Sequence, residues 1–186
     1  MDISSVRAAL NKAKGPWYPK DHQGPGFYAI FLKSSSQLPG IDVPRDGLLY
    51  IGKTEKGFSA RDHFQPSCGH SGHCTARRSL GALLSEQLDL KPKPRSRRSI
   101  YSRKSHFRFD AAGEKRLSEW MQGQLYIARV PFEGNVSAAE AMLIEGLRPP
   151  LNLTIWDNPQ AGLVKRLRRQ CSDQARSFFS RGARVA

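Results

Sequence analysis

Four groups of side chains in this 186-residue chain have types and spacings from which chemistry can be built. The densest is Cys68-Gly-His70-Ser-Gly-His73-Cys74, where two cysteines and two histidines, all potential zinc ligands, crowd a short loop. The C-x-H-x-x-H-C spacing is not one of the usual structural-zinc patterns. The segment therefore reads first as a Gly/Ser-rich loop near a polyanion and second as a metal site. The second group is the stretch from Lys91 to Arg108, with Lys91, Lys93, Arg95, Arg97, Arg98, Arg103, Lys104 and Arg108 and no acid among them. That sign bias fits phosphate contact better than a merely solvated loop. Arg77 and Arg78 join the nucleic-acid candidates, and Tyr101 and Phe107 are rings that either stack on bases or pack inward. The third group is Tyr28 and Tyr50, which taken singly read as packed strand residues. The fourth is Ser137-Ala-Ala-Glu140, whose spacing fits a capping box, followed by Asn152 beyond the helix.

The elements that must carry these groups follow from periodicity and punctuation. Residues 5–14 read as a short helix ended by Gly15-Pro16. Residues 27–32 read as a strand apolar on both faces, hence central, and residues 48–51 as a second strand stopped by Gly52. Ser34 to Gly47 is a loop. Thr75 caps a helix in which Leu80, Leu83, Leu84 and Leu88 share a face. Glu114 to Met121 is a helix, Gln124 to Pro131 a strand, and Ser137 to Leu147 a helix stopped by Pro149-Pro150. Asn158-Pro159 opens a last helix, with Leu163, Leu167, Cys171, Ala175 and Phe179 stepping along one face and Lys165, Arg166, Arg169 and Arg176 opposite. The expected class is α/β (α+β): a small mixed or antiparallel sheet of about three strands flanked by helices.

Three separated segments also form one pattern. Gly26-Phe27-Tyr28 in the first strand, Tyr50-Ile51-Gly52-Lys53 in the second, and the E-x-x-L-I-x-x-x-x-P-x-x-N run from Glu140 to Asn152 together resemble the GIY-YIG nuclease superfamily. Arg61 matches the arginine that follows the second motif. The likeness spans residues 24 to 154. Position 65 is Gln where the family often has His or Tyr one turn after the arginine, which makes His63 the nearest substitute. The resemblance implies a phosphodiester hydrolase that holds one divalent ion, Mg²⁺ or Mn²⁺, on Glu140 with waters completing the shell. It implies that Arg61 forks onto the scissile phosphate, that Tyr28 orients or deprotonates the water, and that Asn152 holds Glu140 or a neighbouring backbone group. A phenol titrates near pH 10, so a base role demands cations such as Lys53, Arg61 and His63 near Tyr28 and Tyr50.

Composition sets the outer bounds. Thirty Lys and Arg against 16 Asp and Glu leave a net charge of +14, which calls for a polyanionic partner. The N-terminal residues have no apolar core of a secretory signal, no window is apolar enough for a membrane span, and three cysteines make no disulfide scaffold. The expectation is one cytoplasmic domain over residues 1–186, with a core at 24–154, a basic insertion at 91–108 and a C-terminal helix at 158–182. The expected activity is metal-dependent endonucleolytic cleavage of DNA, of restriction or defence type, with a homodimer as one way to cut both strands. The rival readings are a nucleic-acid-binding module that has lost activity, and a structure-selective or RNA nuclease.

Overall fold

The computed structural model describes residues 2–18, 24–58, 64, 70–96 and 106–182, with side chains to residue 177. Its centre is strand β1 (Gly26–Leu32), buried along its whole length. β1 pairs antiparallel with β2 (Leu48–Thr54) on one side and β5 (Leu125–Pro131) on the other. The order β2-β1-β5 makes a three-stranded antiparallel sheet, and β3 (Pro92–Pro94) with β4 (Phe107–Phe109) forms a separate ribbon. A register shift between Ile30 and Phe31 lets Leu49 bulge from β2.

Helices cover both faces, because a strand apolar on both sides must be buried on both. On one face α1 (Ile3–Lys12) and α4 (Val136–Leu147) pack Leu10, Ala139, Leu143 and Ile144 onto Phe27, Ala29, Phe31 and Ile51. On the other face α2 (Thr75–Leu83), α3 (Ala111–Gln124), α5 (Ala161–Gly182) and the β3–β4 ribbon enclose Ile30, Leu80, Phe107, Phe109, Leu117, Ile127, Val164 and Cys171. Both outer edges of the sheet are occupied. Gly15 exchanges backbone bonds with Ile127 of β5 (3.1 and 2.9 Å), and Leu151 N–H donates to Leu49 of β2 (2.9 Å).

The expected class holds, while several boundaries move. Asp2 caps α1, so that helix begins before residue 5 and ends at Lys12. Gly52 does not stop β2, which continues to Thr54. α2 is capped by Cys74, whose Sγ accepts from Arg77 N–H at 3.3 Å, and it ends at Leu83 rather than near Leu88. The 91–108 segment is not all loop, since Phe107 and Phe109 alternate inward from β4 at 0% and 1% exposure. Packing therefore claims Phe107, while Tyr101 lies outside the described residues, as does the side chain of Phe179. α5 starts at Ala161, after a turn in which Asn158 Oδ1 accepts from Gln160 N–H (2.9 Å). Among the described residues no helix is long and apolar enough to cross a membrane.

Candidate active site

The register of β1 and β2 brings the two tyrosines together. Tyr28 lies opposite Gly52 and Ile30 opposite Tyr50, so the two-residue alternation puts Tyr28 and Tyr50 on one face as diagonal neighbours. Their ring centroids are 6.1 Å apart and tilted by 31°. Tyr28 is buried and Tyr50 half-buried. The Tyr28 phenol lies across Gly52, where a built Cβ would fall within 3.0 Å of Oη, Cζ and Cε1. Gly52 is thus required by the tyrosine lying over it, where the sequence pointed to a strand stop and to a close approach of backbone to substrate. Gly26 is pinned in the same way, with Val130 O and Phe58 Cζ each 2.7 Å from a Cβ there.

Across β1 from Gly52, the residue directly opposite Tyr28 is Arg129 of β5. Opposed residues of an antiparallel pair share a face, so a cation stands beside the tyrosine. Arg129 is only 9% exposed; its Nη1 donates to the Tyr18 carbonyl (2.9 Å) and its guanidinium lies 5.5 Å from the Tyr18 ring centroid. Sequence reasoning missed it. The available signal was the alternation Leu125, Ile127, Arg129, which puts an arginine where a third apolar residue would extend the inward face.

Asn152 works on the backbone of the second motif. Its Oδ1 accepts from Ile51 N–H and its Nδ2 donates to Ile51 O, both at 2.9 Å and both buried. The residue so clamped sits between Tyr50 and Gly52. Asn152 is itself braced, since its carbonyl accepts from Trp156 Nε1 (3.1 Å) and Asn158 Nδ2 (3.0 Å).

The acidic helix is capped elsewhere than its sequence indicates. Asn135 is the N-cap of α4, its Oδ1 accepting from Ala138 N–H (3.0 Å), and Ser137 lies inside the helix. A capping box from Ser137 to Glu140 is therefore ruled out, because its serine would have to be the cap. Ser137 Oγ instead accepts a hydrogen bond from Lys53 Nζ, which also pairs with Glu55 (3.0 Å). Lys53 alternates onto the α4 face of the sheet with Ile51, opposite to Tyr28 and Tyr50. It braces α4 one turn before Glu140 and is not among the cations on the tyrosine face. Glu140 is half-buried.

Arg61 and His63 lie outside the described residues, as do Arg97, Arg98, Arg103, Lys104 and Cys68. Arg95 is described, and it bridges His106 Nδ1 (Nη1, 3.2 Å) and His73 Nδ1 (Nη2, 2.9 Å). Arginine only donates, so both imidazoles accept at Nδ1 and carry their proton on Nε2. His70 Nδ1 accepts from Gly72 N–H (3.1 Å), and burial pushes the His70 pKa below its ordinary value, with Glu114 opposing. Cys74 caps α2, and burial raises its thiol pKa.

Arg77 and Arg78, expected as nucleic-acid contacts, are turned inward. Arg77 is fully buried and its Nη2 pairs with Glu114 at 2.8 Å, while Nη1 donates to Ser118 Oγ (2.9 Å). Glu114 also accepts from the Ser71 and Phe109 N–H groups (2.9 and 3.1 Å). One buried carboxylate thereby ties α2, β4 and the 70–74 loop to α3. Arg78 donates to Ser71 O (2.9 Å) and Gly72 O (3.1 Å) and is 4% exposed. Arg77 thus spends its charge on α3 through Glu114, and Arg78 holds the 70–74 loop directly.

A three-stranded antiparallel sheet between helical layers, with paired tyrosines on its first two strands and an acidic helix leading to a backbone-clamping asparagine, defines a nuclease-type α/β domain. The family model for the GIY-YIG catalytic domain matches residues 26–172. The chain belongs to that family, which carries with it a nuclease-type function and a nucleic-acid substrate. No curated protein and no solved structure matches it.

Proposed function

We propose that this chain is a divalent-metal-dependent endonuclease that hydrolyses phosphodiester bonds in DNA. The observation that carries the reading is the Tyr28–Tyr50 pair on one face of the sheet, with Tyr28 seated over Gly52 and the strand fixed from behind by the Asn152 clamp on Ile51. Tyr28 orients the attacking water and takes its proton, with Arg129 opposite it as the cation that favours the phenolate. Tyr50 holds the same water or the adjacent phosphate oxygen. Arg61 forks onto the scissile phosphate and His63 assists it. Lys53 and Asn152 are positioning residues: the first holds the Glu140 turn against β2 through Ser137, the second fixes the backbone between Tyr50 and Gly52.

The ion this chemistry requires fits the residues present. Glu140 offers one hard oxygen ligand on a half-buried helix turn, where solvent has room to supply the remaining ligands. Among the described residues no three His, Cys, Asp or Glu side chains gather into a cluster of their own, and a lone carboxylate suits Mg²⁺ or Mn²⁺ better than Zn²⁺. Bound there, the ion supplies charge stabilisation for the phosphoryl and leaving oxygens.

The test is cleavage of supercoiled plasmid, single-stranded DNA and structured RNA by the full chain, with Mg²⁺ or with EDTA, beside Glu140→Ala. The expected result is metal-dependent nicking or linearisation of plasmid, lost in Glu140→Ala while DNA affinity is kept. Wild-type cutting by Glu140→Ala overturns the ligand assignment. Cutting of RNA alone overturns the substrate, and tight binding without cutting of anything leaves a binding module.

A further inference from the structure

The helix α5 carries more charge than its packing requires. Val164, Cys171 and Ala175 face the core, and Lys165 and Arg169 face solvent. Between α5 and the chain at Leu153–Thr154 and Thr75 runs a groove lined by Lys165, Arg168, Arg169 and Arg176. Among the described residues the one acid in that lining is Asp173, which pairs with Arg176 at 2.5 Å.

The charges also crowd one another. Arg168 is drawn into the wall of the groove, and burial pulls its pKa down. Arg78 falls to about 10, first through burial and then through repulsion from Arg168 and Arg95. Like charges gathered at a half-buried site cost folding free energy unless a counter-charge arrives. The groove is also joined to the candidate site through the chain. Its Leu153–Thr154 wall continues directly from Asn152, and α5 packs on the face of the sheet that carries Tyr50.

We infer that this groove is the track for the phosphate backbone of duplex DNA on one flank of the scissile bond. The occupant follows from charge complementarity: a row of cations along a helix meets a row of phosphates, and each contact releases a counterion. The inference rests on the proposed DNA substrate, and its test is read by binding, so the two fail separately.

The experiment measures affinity of the full chain in EDTA for a fluorescent 30-bp duplex of arbitrary sequence across a series of KCl concentrations. The groove variant is Lys165→Gln/Arg169→Gln. The control, Lys115→Gln/Arg166→Gln, removes two other exposed charges that do not line the groove. Two lost phosphate contacts should lower the slope of log K against log[salt] by about 1.8 and weaken binding by about tenfold to a hundredfold at low salt. The control should change the slope by less than half as much. Equal slopes in the two variants, or a wild-type chain that does not bind the duplex, overturn the inference. A loss confined to duplex RNA overturns the DNA assignment. A fall in slope for a chain that cuts nothing keeps the groove and removes the nuclease reading.

Discussion

Gly52→Ala probes the arrangement that places the candidate base. The added methyl would lie within 3.0 Å of three atoms of the Tyr28 ring, and the backbone beneath it is held on one side by β1 and on the other by the Asn152 clamp. To restore an ordinary contact the phenol must retreat by about 1 Å, a displacement that in a positioned catalytic group costs on the order of a hundredfold in rate. Because Tyr28 is 4% exposed, the retreat disturbs packed neighbours, and overpacking of that kind costs about 1–3 kcal/mol. In a Tyr28→Leu background the shorter side chain leaves the methyl room. There the same substitution should be neutral or stabilising by up to about 1 kcal/mol, since glycine is costly inside a strand. Urea melts of the four variants then give a coupling of about 1–4 kcal/mol between positions 28 and 52. Cleavage by Gly52→Ala alone should fall by about a hundredfold with the fold retained. An equal stability change in both backgrounds, or full activity in Gly52→Ala, would refute the claim that residue 52 is glycine because of the tyrosine.

Asn152→Ala strands the N–H and C=O of Ile51 at a buried position and should cost about 2–4 kcal/mol, with faster amide exchange at Ile51 as the local readout. Glu114→Ala leaves the fully buried Arg77 guanidinium without its ion pair and should cost about 3–5 kcal/mol by denaturant melt, whereas Arg77→Met/Glu114→Leu should recover most of that loss. Burial raises the Cys74 thiol and lifts Cys171 to about 11; a raised thiol holds less thiolate at any pH below it. Iodoacetamide at pH 8 should therefore leave both unlabelled by mass spectrometry until denaturant is added, and rapid native labelling of either would contradict their burial.

What could be read from the sequence depended on whether the deciding interaction was local. The apolar run of β1, the two tyrosine motifs and the long glutamate-to-asparagine spacing are contained in their own segments, and they led to the family and the sheet. Caps were misplaced by one or two residues: Asn135 is as competent a cap as Ser137, whereas Cys74, a weak sulfur acceptor, takes a place that local preference would give to Thr75. Arg77 and Arg78 show the larger failure. Nothing near Arg77 in sequence neutralises its guanidinium, and the carboxylate that does, Glu114, arrives with α3, while Arg78 is held by the carbonyls of Ser71 and Gly72. Arg129 was hidden for the related reason that its importance is a matter of register, which places it opposite Tyr28 through a strand a hundred residues away.

Position 53 shows how the two faces of the sheet divide the labour. Gly52 and Lys53 are adjacent in sequence, yet the pleat sends them to opposite sides. Gly52 receives the tyrosine, and Lys53 reaches Ser137 on the helix that carries Glu140. The strand between the candidate base and the candidate metal ligand is thus held from three directions: by β1 through the ladder, by Asn152 at Ile51, and by α4 through Lys53. A short edge strand with one free side would fray and carry Tyr50 with it. The proposed site, which sets two tyrosines and a carboxylate around one phosphorus atom, needs that edge held, and the Glu140-to-Asn152 run holds it by ending in an amide that bonds both backbone groups of Ile51.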